Sequence, residues 1–165
     1  KLIFCFLRLS AKAVRKYYAY SCKGIAYGRT TSCLLMSQRA VRLRFAELQQ
    51  EDAPALYDIY RDAEAMRFRG SKPMGSLADA KHFIAQQVLE EQSQRTERLG
   101  IYLHDTDTLI GTAMFRYQKA EPGHCEIGYS LEKAYWGQGY GTAVVAWQLA
   151  ALKSKGISSI YADCH

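Results

Sequence analysis

The sequence predicts an α/β (α+β) domain built on a mixed, largely antiparallel central sheet flanked by helices. Three observations carry that expectation. Apolar and polar residues alternate with period two in separate stretches, the mark of half-buried strands. Turn-forming residues join consecutive strands into a meander, and strands joined this way run antiparallel. One long helical segment separates the last two strands, and such a crossover lays them parallel.

In chain order, Val41, Leu43 and Phe45 alternate with Arg42, Arg44 and Ala46, giving the first strand. Glu51 to Arg61 predicts a helix with Leu56, Ile59 and Tyr60 on one face. A loop follows through Arg67, Phe68, Arg69, Gly70 and Pro73. Ser76 opens a second helix, with Asp79 as its capping-box partner and Leu77, Ala80, Phe83, Ile84 and Val88 as its apolar face. Leu99, Ile101 and Leu103 form a strand that turns through Asp105–Thr108 into another, from Leu109 to about Tyr117. The turn Glu121-Pro122-Gly123 leads to a strand from His124 to Leu131. A loop with Tyr135 and Trp136 precedes a helix from about Gly139 to Lys153. Gly156 ends it, and Ile157 to Cys164 begins a last strand. His165 arrives with that strand under way, so the domain is expected to be incomplete, with C-terminal strands and a helix missing.

Composition narrows the class. With 48% hydrophobic and 23% charged residues over 165 positions, one globular domain is expected. No apolar run approaches a membrane span, so no membrane partner is expected. The net charge of +6 is concentrated at the start. Ten of the 22 Lys and Arg precede Glu47, the first acidic residue, leaving 12 basic against 16 acidic residues. That balance lacks the footprint of a nucleic-acid binder. Residues 1–35 differ in texture from the rest and are expected to be a non-native leader, read-through or targeting segment, with the domain over 36–165 from Met36. A mitochondrial-type transit segment, also basic and acid-poor, is the rival for 1–35. The five cysteines, Cys5, Cys22, Cys33, Cys125 and Cys164, include no CxxC pair. Neither a disulfide framework nor a metal site is expected, and a reducing cytoplasm is the expected location.

The chemistry concentrates near residue 137. Glycines at 137, 139 and 141 stand where strand and loop give way to a helix. They let backbone amides approach an anion closely, and the helix start adds unpaired N–H groups. A Walker loop requires a GxxxxGK sequence that is absent. A Rossmann fingerprint requires a third glycine where Thr142 stands, and a first βαβ unit rather than a meander. A glycine-rich helix start that binds nothing is the plain alternative.

The run Glu126-Ile-Gly-Tyr-Ser-Leu-Glu-Lys-Ala-Tyr-Trp-Gly-Gln-Gly-Tyr-Gly-Thr142 resembles the motif of the GNAT superfamily of acyl-CoA N-acyltransferases. It looks closest to the ribosomal-protein-alanine N-acetyltransferase branch. The resemblance implies acetyl-CoA as co-substrate, with the amides of Gly137, Gln138, Gly139, Tyr140, Gly141 and Thr142 around its pyrophosphate. It also implies that the strand end Tyr129, Ser130 and Leu131 pairs its backbone with the pantetheine arm. Trp136 departs from the motif, which has Gln or Arg there. The implied reaction is acetyl transfer to a primary amine, on a protein N-terminus or a small molecule, by direct attack in a ternary complex. A homodimer partner is also among the expectations. A noncatalytic CoA-binding module or an inactive gene fragment is the alternative.

Attack by an amine on a thioester needs a positioned amine, a base and a polarised carbonyl. Glu126 resembles the glutamate that serves as base in this branch; a structural strand carboxylate is the competing view. An amide near Ser130 or Leu131 is the candidate to meet the thioester oxygen. His104 and His124 are taken as surface strand residues, and Cys125 lacks a base partner for nucleophilic work. The tyrosine acid and the Asn expected from the family would lie beyond His165. The arginines of the 67–71 loop are candidates to meet an acidic acceptor, against an ordinary solvated loop.

Overall fold

The computed structural model describes residues 41–67, 69, 71–92, 96–118 and 123–162. The expectations for the 1–35 leader, the Met36 start, Phe68, Gly70, Glu121 and Pro122 of the 121–123 turn and Cys164 lie outside the described residues, as does the side chain of Val88.

Among the described residues five strands make one sheet in chain order: β1 (Leu43–Ala46), β2 (Thr96–Leu103), β3 (Leu109–Tyr117), β4 (His124–Leu131) and β5 (Ser159–Tyr161). The first four run antiparallel and β5 runs parallel to β4, so the sheet is mixed as the meander-plus-crossover pattern requires. β2 begins three residues before the visible alternation, because Thr96, Glu97 and Arg98 put polar side chains on both faces and hide the period. The register shifts between Ile101 and Tyr102, which pair with Gly111 and Leu109 and leave Ile110 as an extra residue. Leu109 stays on the Tyr102 side, and the extra Ile110 packs on the side of Ile101.

Among the described residues four helices cover the sheet: α1 (Ala53–Tyr60) after a 3-10 turn at Gln50–Asp52, α2 (Ala63–Arg67), α3 (Leu77–Gln92) and α4 (Tyr140–Ser154). Leu48, Ala53, Leu56, Ile59, Tyr60, Ala80 and Ile84 pack with Tyr102 and Leu109 into a core on the α1 and α3 side. Val144, Leu149 and Leu152 of α4 close the opposite side with Ile101, Ile110, Ala113, Phe115, Cys125, Ile127 and Leu131. There the Phe45 and Trp147 rings stack with centroids 3.6 Å apart, pinning α4 to β1.

Two local expectations need correcting. The stretch after Arg61 is not all loop, because α2 forms there. Asp62 Oδ1 accepts from the N–H groups of Glu64 at 2.8 Å and Ala65 at 3.1 Å and starts the helix. Leu77 does not join the apolar face of α3; it is 41% exposed, in the helix's first turn. The capping box is as expected: Ser76 N donates to Asp79 Oδ2 at 2.9 Å and Asp79 N to Ser76 Oγ at 3.2 Å. Among the described residues no helix is long and apolar enough to cross a membrane.

Candidate active site

The two edges of β4 differ, and the difference makes the site. Toward β3 the register is fixed at both ends, by Gln118 N donating to His124 O at 3.2 Å and Glu132 N to Ile110 O at 2.8 Å. Antiparallel ladders bond alternate residues. The peptide groups of Glu126, Gly128 and Ser130 therefore face β3, and those of Ile127, Tyr129 and Leu131 face away. On the far edge β5 pairs only as far as Glu126, opposite Tyr161. Past that point, among the described residues, no strand covers the edge at Tyr129 and Leu131. Ser130, expected beside them, turns its peptide to β3: a Cβ at Gly111 would stand 2.2 Å from the Ser130 carbonyl oxygen. The Leu131 carbonyl accepts from Trp136 Nε1 at 2.8 Å. The residue that departs from the motif thus ties the turn to the strand end.

Beyond Trp136 the chain makes a turn that only glycine takes without strain. Gly137 has φ 72° and Gly139 φ 87°. Among the described residues, a Cβ at either position would meet nothing within 4 Å. The first bond into α4 is donated by Ala143 N to Gly139 O at 3.1 Å, and no described side chain caps the helix. The N–H groups of Tyr140, Gly141 and Thr142 thus have no helical acceptor and stand at the positive end of the helix dipole. Gln138 folds its side chain back, Nε2 donating to Ala134 O at 2.6 Å, and leaves the turn's mouth clear. Gly141 brings the two features together, since a Cβ there would lie 2.7 Å from Tyr129 Oη. The free amides and the open strand edge are neighbours. A cradle of amides beside a strand edge that no described strand covers suits a ligand with a phosphate linkage and an amide-bearing arm.

Glu126 sits on the other face of β4, with its side chain 15% exposed and Oε2 3.0 Å from Arg116 Nη1. It lies three residues before Tyr129, about 10 Å along the strand. Cys125 is fully buried beside it, and burial pushes its thiol up to about 11. That keeps it protonated and unsuited to nucleophilic attack. His104 lies at the β2–β3 hairpin, Nδ1 3.4 Å from Asp105 Oδ1, away from the turn. Arg69, from the loop proposed to meet acceptors, stacks on the Tyr60 ring at 4.2 Å and so helps build the α1 and α3 side.

Sequence reasoning missed Gln148. It is fully buried in α4, and its Nε2 donates to Met114 O at 3.1 Å and Gly128 O at 3.0 Å. The available signal was a polar residue at helical spacing between Val144 and Leu152, both fully buried.

The model of the acetyltransferase (GNAT) domain family matches residues 42–165. The uncharacterized N-acetyltransferase p20 of Bacillus licheniformis is 30% identical over 106 residues, covering 63% of this chain and 58% of that protein. The chain thus spans less than two thirds of that relative's length. Among solved structures, spermidine N-acetyltransferase from Vibrio cholerae, in complex with CoA and spermine, superposes with a TM-score of 0.62 at 13% identity, over 73% of this chain and 69% of that one. The Salmonella typhimurium acetyl transferase that modifies the N-terminal serine of 50S ribosomal subunit protein L7/L12 superposes at 0.61 and 17% identity, over 74% and 70%. At these identities the two structures establish the shared fold.

Proposed function

This chain belongs to the GNAT acetyltransferase family, and we propose that it serves acetyl transfer from acetyl-CoA to a primary amine by direct attack within a ternary complex. The observation that carries this is an adjacency on two elements: the amides of Tyr140, Gly141 and Thr142 on α4, which have no helical acceptor, and the stretch of β4 past Glu126 that β5 does not reach. Acetyl-CoA, when bound, supplies an acyl group activated as a thioester.

The turn from Gly137 to Thr142 holds the pyrophosphate through N–H groups, a task that leaves the side chain at Trp136 free to differ from Gln or Arg. Tyr129 offers an N–H and a carbonyl to the pantetheine amides, and Leu131 offers an N–H, as an added strand would find them. The edge runs from Leu131, next to the turn, back toward Glu126. Glu126, held by Arg116, takes the proton from the attacking amine directly or through one water. The acceptor is an amine on a protein N-terminus or a small molecule, both of which are named among the structural neighbours.

The test is a CoA-release assay on the chain with acetyl-CoA and a panel of N-terminal peptides and polyamines, alongside calorimetric CoA titration. Binding with turnover of at least one amine is expected. Binding with no turnover across the panel leaves a noncatalytic CoA module, and absence of binding removes the site.

A further inference from the structure

We propose that Gln148 is a positioning residue that sets the distance between the phosphate turn of α4 and the open edge of β4, so that one CoA molecule can engage both. This rests on the proposed acetyl-CoA site. Met114 and Gly128 form one of the mutually bonded pairs of the β3–β4 ladder, by the same alternation that turns Ser130 to β3. Their carbonyls therefore already accept from each other's N–H groups, and each keeps a second lone pair. The single amide nitrogen of Gln148 donates to both, at 3.1 and 3.0 Å. It straddles the two strands from the face that α4 covers.

An apolar residue would complete the stripe of Val144 and Leu152, each 0% exposed like Gln148 itself. Instead the site holds an amide whose Oε1 is buried without a partner among the described residues. A buried acceptor left unpaired is a burden on stability. Apolar contacts tolerate sliding along a helix; two hydrogen bonds to fixed carbonyls do not. Gln148 stands eight residues into α4 from Tyr140, about 12 Å along the axis. Gly128 stands one residue before Tyr129 on β4. The contact thus fixes the helix that presents the amides against the strand that presents the edge. A ligand that joins two half-sites binds with an effective concentration set by their spacing, and loses that advantage when the spacing drifts.

The experiment compares Gln148→Met with the parent chain in three measurements: thermal melting, calorimetric titration with CoA, and titration with adenosine 3′-phosphate 5′-diphosphate, which carries the diphosphate without the pantetheine arm. The expected result is a melting temperature held or raised, a CoA Kd raised about tenfold as the two half-sites lose their fixed spacing, and an unchanged Kd for the nucleotide fragment. An unchanged CoA Kd, or equal weakening of CoA and fragment, overturns the proposal. A parent chain that binds CoA no better than the fragment removes the two-part site itself, and the role of Gln148 with it. If Gln148→Met does not fold, Gln148→Leu, which completes the same stripe as Val144 and Leu152 and likewise carries no donor, replaces it. Its CoA Kd then rises while the fragment Kd stays; an unchanged CoA Kd counts against the proposal.

Discussion

Replacing Gly139 with alanine tests the phosphate turn from two directions at once. Gly139 is the N-cap of α4 with φ 87°, and a Cβ there meets no atom of the described residues within 4 Å. Any effect of the substitution is therefore conformational rather than steric. Holding an alanine in the left-handed region costs about 1–2 kcal/mol, and the narrower unfolded ensemble of alanine returns about 0.4–1 kcal/mol. The net loss is about 1 kcal/mol, or roughly 4 °C in melting temperature for a domain of this size. The chain has one escape, which is to swing residue 139 to negative φ. That relieves the strain but re-aims the N–H groups of residues 139 to 141. The two outcomes exclude each other, so either the melting temperature falls with CoA affinity kept, or it holds and CoA affinity drops. Scanning calorimetry and CoA titration on the same sample separate them. A Gly139→Ala chain matching the parent in both would refute the claim that this backbone shape presents the amides.

Three further outcomes follow from the same geometry. Glu126→Gln is expected to lower kcat about a hundredfold or more, with the KM for acetyl-CoA unchanged in steady-state assays; equal kcat would leave Glu126 as a strand carboxylate paired to Arg116. Burial raises the Cys125 thiol from 9.0 to about 11. For Lys155 desolvation acts downward, but its hydrogen bonds to Tyr117 and Glu97 outweigh it and raise the ammonium from 10.5 to about 12. Both shifts make the folded state hold protons that the unfolded state releases, so this stability is complete below pH 9 and declines as pH rises through 11. Urea midpoints should fall over that window, and Cys125→Ala should flatten the fall between pH 9 and 11 without changing turnover. Tyr102→Phe removes the 2.7 Å hydrogen bond to Asp52 Oδ2 and is expected to cost about 1 kcal/mol by denaturant titration. CoA binding should be untouched, since Tyr102 lies on the opposite side of the sheet from α4.

The sheet was legible because its signals are local. Alternation marks β1 and most of β2, turn residues bracket β3 and β4, and Gly156 at φ 75° marks the end of α4. The glycine turn was legible for the same reason, since 137 and 139 require a conformation other residues avoid. What escaped depends on partners distant in sequence. The inward place of Gln148 is decided by carbonyls 20 and 34 residues away. Whether Tyr129 or Ser130 offers its peptide groups to a ligand depends on which pairs of the β3–β4 ladder are bonded, and side-chain parity alone does not give that. α2 escaped for a different reason. Its cap at Asp62 was visible, but five residues are too few to show a period.

The central claim concerns particular amides, and two-dimensional 15N NMR of the chain titrated with CoA reads them directly. The account predicts large shifts and slowed hydrogen exchange at Tyr140, Gly141 and Thr142, with Tyr129 and Leu131 following on the strand edge and Ser130 keeping its exchange rate. CoA binding that leaves the 140–142 amides unmoved, while perturbing resonances elsewhere in the sheet, would contradict it.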